Sequence, residues 1–593
     1  METAPPLTPM SLELLLNRVA HEWESRQRIF DLPTARFWKP ADDVDLSFEF
    51  LGRPAASPIG PAAGPHSQMA QNIVLAWLGG SRLFELKTVQ VMDDLDIARP
   101  CIDMETIGYN IEWSQELEVA QSLEEYVKAW MMLEILRRWE PLREYLGEDT
   151  GPHVFDLSVG YDLAGIKTPK VAGFINGMGD ASEIIERLRP QIPEAFAEFR
   201  YIDFDPCVSD TVTLSTFHGC PPDEIEAITK HLIDVHDLDV IVKLNPTLLG
   251  LDRVTDIVNG QLGYDTVTLV PTAFDEDLQF DRAISLIGEL NEHAKAAGHR
   301  FGIKLTNTLV VQNNKQWMPE DTMYLSGPPL HVLATALLDQ LCEHLPGQLM
   351  VPGHDGDIQV SFSAGITKGN VADAIAMGVM PATICSDLLK PGGYGRLAPT
   401  MRNLTAAVRA TMTEGAQMGT LSSWRAARLE VARGAGHRDL VAEHVARVLG
   451  ADVAVYSFAG NEKLPRAVDH ELEMWGCVAC NFCVTVCPND AFFKLPTAGL
   501  ELEGRQQYLV FSELCNECGN CMTFCPEDGD PAMVKPRLYL DQARFDAAAG
   551  PRFLVGDDGR SVTAAEAEQT DTFNLVALLT ADEGYPIADA TPR

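Results

Sequence analysis

Eight of the thirteen cysteines fall between positions 477 and 525, in two copies of one spacing. The first copy is Cys477-x2-Cys480-x2-Cys483-x3-Cys487-Pro488, and the second is Cys515-x2-Cys518-x2-Cys521-x3-Cys525-Pro526. Thiolates at this spacing wrap an iron–sulfur cubane, and in the doubled pattern the fourth cysteine of each run crosses to the other cluster. The spacing therefore predicts one [4Fe–4S] cluster on Cys477, Cys480, Cys483 and Cys525. A second is predicted on Cys515, Cys518, Cys521 and Cys487. Zinc sites take ligands in pairs, not in two runs of four each closed by proline. Disulfides belong to oxidising compartments, and the other five cysteines (Cys101, Cys207, Cys220, Cys342, Cys385) are scattered without a framework. This segment is built to carry electrons.

A chain of 593 residues accommodates several domains. Its formal net charge of -39 makes nucleic acid an unsuitable partner, because phosphate backbones repel such a surface. The first ten residues carry no basic stretch ahead of the short apolar run Leu14–Leu16, unlike a secretory signal. No apolar run approaches the roughly 18 residues that span a bilayer. A cytoplasmic location, without a membrane partner, is the expectation.

From about Ser57 to Gly395, apolar strand-like runs alternate with helical periods. The strand candidates are Pro58–Pro61, Leu83–Val89, Val154–Val159, Thr211–Ser215, Val240–Leu244, Thr266–Val270, Phe301–Thr306, Gln359–Phe362 and Ala382–Cys385. Between them lie amphipathic stretches such as Pro222–Val235, with Ile225, Ile228, Leu232 and Val235 on one face. This alternation predicts an α/β fold with a parallel sheet, and the number of strands favours a (β/α)8 barrel with one candidate too many. The expected organisation is an N-terminal helical extension over 1–50, the barrel over 51–400 and a helical connector over 401–469. A ferredoxin-like two-cluster domain follows over 470–545, then an acidic tail over 546–593 with one possible strand pair.

Barrel chemistry sits at the C-terminal ends of the strands, where this chain places small, cationic and amide residues. Pro58-Ile-Gly-Pro-Ala62-Ala63-Gly64-Pro-His66 opens into a small-residue loop that lets a flat group approach the backbone. Lys87-Thr88, Lys243-Leu-Asn-Pro and Lys304-Leu-Thr-Asn307 end later strands. The turns at Gly365 and at Gly392-Gly393 are suited to offering N–H groups to a phosphate. Taken singly, a strand-end lysine is as well explained by a salt bridge or by snorkelling. Six such segments in barrel order are harder to dismiss.

The arrangement resembles the FMN-binding barrel of the dihydroorotate and dihydropyrimidine dehydrogenases, the latter also carrying a C-terminal two-cluster module. A closer resemblance, to the selenate reductase subunit family, runs through Lys87-Thr-Val-Gln90, Pro100-Cys-Ile-Asp103 and Trp113-Ser114. It continues in His218-Gly-Cys-Pro-Pro-x-Glu-Ile-Glu-Ala227, Asn245-Pro-Thr-Leu-Leu-Gly250 and Asp387-Leu-Leu-Lys-Pro-Gly-Gly-Tyr394. The resemblance implies noncovalent FMN, with Ala62, Ala63, Gly64, Lys87, Thr88 and Asn307 around it and either Lys243 or Lys304 at its ring. Gly365, Gly392 and Gly393 would lie at its phosphate. Relatives in that family carry an FAD- and NAD(P)H-binding region between barrel and clusters, with a Gly-x-Gly-x-x-Gly turn that this chain lacks. The electron donor is therefore expected to be a partner, either a ferredoxin or a separate FAD- and NAD(P)H-binding protein.

Cys220 precedes a proline-started helix, whose dipole would lower the thiol pKa while Asp223 and Glu224 oppose it. Flavin chemistry on a C=C or C=N bond needs a proton on the face away from N5. Cys220 is the candidate for that role, with His218 as the alternative; a buried structural cysteine is the plainer reading. These features imply an oxidoreductase acting on a small polar molecule, by resemblance a pyrimidine- or purine-like heterocycle. Two alternatives stay open: an electron-transfer subunit of a selenate-reductase-like or molybdenum hydroxylase complex, and a glutamate-synthase-like FMN barrel. The latter lacks an N-terminal cysteine for glutamine hydrolysis.

Overall fold

The computed structural model describes residues 6–581 and 585–587, apart from 94, 96, 112–113, 149, 216–219, 355, 413–416 and 498. Eight parallel strands form the central sheet: β1 (Ile59–Pro61), β2 (Leu83–Glu85), β3 (Val154–Val159), β4 (Thr211–Ser215), β5 (Asp239–Leu244), β6 (Phe301–Leu305), β7 (Gln359–Phe362) and β8 (Ala382–Ile384). Sequence neighbours pair from β2 through β8, and β8 returns to β1 with Ala382 opposite Ile59. The seam between β1 and β2 is drawn together by the Arg82 N–H, which donates to the Ile59 carbonyl at 3.1 Å. A Cβ on Gly60 would stand 1.6 Å from the Leu83 carbonyl oxygen, so only glycine lets the two strands meet here. The result is a near-closed (β/α)8 barrel.

Thr266–Val270 is the surplus strand candidate. It does not enter the barrel, because β5 and β6 pair directly from Val240 opposite Phe301 to Leu244 opposite Leu305. Leu269 instead bridges Val311 in a four-stranded antiparallel sheet laid over the barrel mouth. That sheet comprises Ile102–Asp103, Gly108–Asn110, Leu309–Gln312 and Thr322–Ser326.

The interior of the barrel is not wholly apolar. Glu85, Asp156, Thr211, Thr213, Lys304, Ser361 and Thr383 are all buried on the strands. Thr211 Oγ1 and Thr213 Oγ1 donate to the two carboxylate oxygens of Asp156 at 2.8 and 2.6 Å. Burial nevertheless lifts the Asp156 pKa to about 7. An unfolded aspartate ionises near pH 4, so between roughly pH 4 and 7 the folded chain holds a proton that the unfolded chain has released. Stability therefore falls as pH rises across that window and is level above it. Asp156→Asn is expected to stabilise the barrel at pH 8, by on the order of 2–4 kcal/mol, and to do little at pH 4. Urea unfolding at the two pH values checks this; an equal effect at both would contradict it.

The C-terminal domain contains a five-stranded sheet: β9 (Phe492–Pro496), β10 (Gln506–Phe511), β11 (Arg537–Tyr539), β12 (Arg552–Val555) and β13 (Val562–Ala565). The segment read from sequence as an acidic tail thus supplies the last two strands and a helix, Gln569–Ala581. At the other end of the chain, helix Leu12–Arg26 starts at Ser11, whose hydroxyl accepts the Leu14 N–H at 3.1 Å. Its Arg18 is fully buried against Asp490 of the cluster domain at 3.0 Å. Among the described residues, no helix is long and apolar enough to cross a membrane.

Candidate active site and cluster domain

All eight strand ends open into one cavity of about 770 Å³ at the C-terminal mouth of the barrel. Ala62, Ala63 and Gly64 follow β1, Lys87 and Thr88 follow β2, and Lys243 lies on β5. Thr306 and Asn307 follow β6, Gly365 follows β7, and Cys385 and Ser386 follow β8. Tyr109, Asn110 and Tyr324 of the mouth sheet face this space from above, and Asp162 and Glu276 lie on its wall.

Charge at the cavity floor is set by burial against a few partners. Burial pulls the Lys87 ammonium down to about 8, with Glu116 and Cys385 partly restoring it. Lys243 is lowered as well, by burial first and then against the opposing pull of Glu85. Glu85 is fully buried, which works against its charge, yet Lys304 and Lys243 hold its carboxyl below the usual range. Lys304 Nζ lies 2.6 Å from Glu85 Oε2 and also donates to Thr383 Oγ1 at 3.0 Å, while Lys243 Nζ stands 4.0 Å from Glu85 Oε1. The Thr306 hydroxyl, on the cavity wall and 2% exposed, meets no protein partner among the described residues.

The cysteine runs gather crosswise. The electrostatic neighbours of the Cys483 thiol are Cys480, Cys477 and Cys525, with Lys535; those of Cys521 are Asp530 first, then Cys518, Cys515 and Cys487. Among the described residues no three His, Cys, Asp or Glu side chains close on a point, as a single metal ion would need. The quartets also differ in setting. Cys480 is exposed, whereas Cys518 and Cys521 are 9% and 7% exposed and lie against the barrel.

That barrel contact is specific. The N–H groups of Cys101 and Ile102 donate to the Cys518 carbonyl at 3.2 and 3.1 Å, and Ile102 itself lines the cavity. Asn520 Nδ2 donates to the carbonyl of Leu389, another cavity residue, at 2.9 Å. Asn516 Nδ2 donates to both Glu116 oxygens at 2.9 and 3.0 Å. Pro100 and Trp317 crowd Gly519, where an added Cβ would lie 2.7 and 2.8 Å from them. The loop carrying Cys515, Cys518 and Cys521 is thus held on the rim of the cavity.

The structure separates the sequence candidates by position. Lys304 does not reach the cavity; it is spent inside the barrel on Glu85, and Lys243 is the lysine presented at the mouth. Gly392 and Gly393 do not border the cavity either. Gly392 N–H donates to Thr485 Oγ1 at 3.2 Å, and a Cβ on Gly393 would stand 1.8 Å from the Thr485 carbonyl, so this turn is packed on the first cysteine run. Cys220 does not carry a lowered pKa: burial, then Glu224, Asp277 and Asp162, push its thiol up to about 12. It is not among the cavity-lining residues. His218 lies outside the described residues.

Cys385 does line the cavity, two residues before the Asp387-Leu-Leu-Lys-Pro-Gly-Gly-Tyr394 motif. Its Sγ would lie 3.1 Å from a Cβ on Gly64, and burial pushes its thiol up to about 11 against the pull of Lys87 and Lys243. Glu116, which bonds Arg99 and Asn516, carries one sequence signal, its place just after the Trp113-Ser114 motif.

A barrel with a polar mouth, joined at its rim to a ferredoxin-type domain with two four-cysteine runs, is the architecture of an oxidoreductase. Residues 30–433 match the family described as oxidoreductase YgfK, N-terminal TIM-barrel domain, and residues 476–528 match the 4Fe-4S dicluster domain. The first match takes in more than half of the chain, and the chain belongs to the YgfK family. It is 37% identical over 433 residues to YgfK of Escherichia coli K12, and equally to that of strain O157:H7, covering 67% of this chain. The aligned part is 39% of those proteins, so the chain spans about two fifths of the length of the curated relatives it matches. Among solved structures, dihydroorotate dehydrogenase from Eimeria tenella, in complex with ferulenol, aligns with a TM-score of 0.40 and 14% identity, covering 65% of this chain and 89% of that one. A likeness that slight carries no argument about activity.

Proposed function

We propose that this chain passes electrons between a partner protein, two [4Fe–4S] clusters and an FMN held at the barrel mouth, and so reduces or oxidises a small polar molecule of the nitrogen-heterocycle type. The observation that carries the reading is the rim contact: Ile102 lines the cavity while its N–H is bonded to Cys518, a ligand of the inner cluster in this proposal. The residues present fit a flavin. Ala62, Ala63 and Gly64 give a flat group close access to backbone, Lys87 and Lys243 oppose developing negative charge, and the Thr306 hydroxyl is left to bond a ligand. FMN, when bound, would supply the exchange between one-electron and two-electron chemistry. The chain's own part is to orient it, exclude water beneath the mouth sheet, and hold a proton at Lys87 Nζ, whose pKa of about 8 suits transfer near neutrality.

Anaerobic purification followed by cofactor extraction tests this directly. The expected result is about eight iron and eight sulfide per chain, from two cubanes, together with FMN. Lys87→Ala is expected to lose the flavin, or leave it unreactive, with unchanged iron. Zinc in place of iron, or a wild-type protein that holds no flavin or FAD alone, would overturn the reading.

A further inference from the structure

We infer that the chain exchanges electrons with a soluble carrier protein whose redox centre is ringed by lysine and arginine, and that this carrier docks on the face exposing Cys480. The inference rests on the electron-transfer reading above and adds to it where the carrier sits and what charge it bears.

The two cysteine quartets are unequal in access. The quartet of Cys487, Cys515, Cys518 and Cys521 is covered by the barrel rim, so a carrier cannot approach it from that side. The other quartet reaches the surface at Cys480. Two exposed valines flank this point, Val478 at 52% and Val468 at 44%. Neither is a loose side chain on a wandering loop. The Val468 N–H donates to the Pro526 carbonyl at 2.6 Å and the Val478 N–H to Glu527 Oε2 at 3.3 Å, which pins both beside Cys525 and Cys477.

The border of this apolar point is acidic. Glu473 and Glu503 converge over Gly476, where an added Cβ would lie 3.3 Å from an oxygen of each. Glu471 is exposed beside them, and from Asp469 to Cys480 the chain carries no lysine or arginine. His470 is already engaged with buried Glu527 at 2.8 Å. The exposed cations Lys463 and Arg466 precede the acidic stretch, Arg505 follows Glu503 by two residues, and Lys535 is buried with its Nζ bonded to the Glu473 and Gly476 carbonyls at 2.6 and 3.0 Å. Weak redox encounters use small interfaces, and border charge governs their on-rate and salt dependence more than their affinity. A small apolar centre with carboxylates around it therefore selects a basic carrier. Each encounter moves one electron: the carrier's centre is oxidised as the outer cluster is reduced, or the reverse, with no bond made or broken.

Ferricytochrome c, a basic carrier, serves as the probe. The chain is reduced with dithionite, desalted and mixed anaerobically with ferricytochrome c after its iron content has been measured. The expected second-order rate is high at low ionic strength and falls as salt screens the encounter. Reversal of the border in the triple variant Glu471→Lys, Glu473→Lys, Glu503→Lys is expected to cut the rate at least about tenfold. The same variant should accept an acidic plant-type ferredoxin faster than the wild type does. Glu183→Lys, an exposed change on a barrel helix, should leave both rates alone. Lack of iron in the wild type would sink the electron-transfer reading itself. Full iron with a triple variant as fast as the wild type, or an equal loss in Glu183→Lys, would overturn the docking face alone.

Discussion

Glu85→Ala is expected to be the most damaging single change in the barrel, costing about 3–5 kcal/mol by removing the partner of a buried charge. Lys304 is 1% exposed, its ammonium lies 2.6 Å from Glu85, and its other bonds are to the neutral hydroxyls of Thr383 and Ser361. Without the carboxylate, Lys304 must either hold an uncompensated charge inside the strands or give up its proton. Removing both ends should be far milder than removing one, since a buried pair replaced by apolar groups is often neutral. The double variant Glu85→Ala, Lys304→Met is therefore expected to recover most of the loss in urea unfolding followed by circular dichroism. The pH dependence follows from the same pair. Glu85 ionises at lower pH in the barrel than in the unfolded chain, so its stabilisation is present above the unfolded value near 4.3 and is lost as pH falls through the folded one. A single variant within 1 kcal/mol of wild type would show that the pair is solvated or otherwise compensated.

That ion pair also shows which parts of the site were legible in the sequence. Strand positions were, because apolar runs of fixed length bounded by Gly, Pro and polar residues carry their own punctuation; β3, β4 and β7 begin and end at the residues the pattern indicates. The residues that line the mouth after β1 and β2 were legible for the same reason. The choice between Lys243 and Lys304 was not. They are register partners on adjacent strands, in nearly the same local sequence, and share one interior. What separates them is Glu85, which takes Lys304 close and leaves Lys243 at 4.0 Å, and Glu85 arrives from a strand far away in sequence. The Gly392-Gly393 turn misled similarly. Its backbone, with φ of 105° and 45°, is a glycine conformation in either role. Only the approach of Thr485 from the cluster domain shows that the turn is packed there, away from the cavity lining. Cys220 followed a sound local rule that tertiary context outweighed: the helix start favours a thiolate, but burial and three carboxylates oppose it more strongly.

The unequal setting of the two quartets leads to a second large effect. Cys483→Ser is expected to remove one cluster and leave the other, halving the iron from about eight to about four per chain, because a serine hydroxyl at neutral pH is a poor substitute for a soft thiolate. Around the surviving quartet, Cys487 with Cys515, Cys518 and Cys521, the Cys518 carbonyl keeps its bonds from Cys101 and Ile102 and Asn520 keeps its bond to Leu389, so the barrel seam should remain intact by circular dichroism. Exchange with an external protein carrier should nonetheless collapse to the background rate. The remaining cluster is shielded by the rim, and electron tunnelling falls steeply with distance. Cys521→Ser provides the contrast. It should also halve the iron, but it lies beside Asn520, whose amide bonds Leu389 and the Val486 carbonyl. Loss of the inner cluster is thus expected to loosen the seam while leaving the outer cluster reducible by the carrier. If both variants exchanged electrons with the carrier at the wild-type rate, the order from surface to outer cluster to inner cluster to cavity would be wrong.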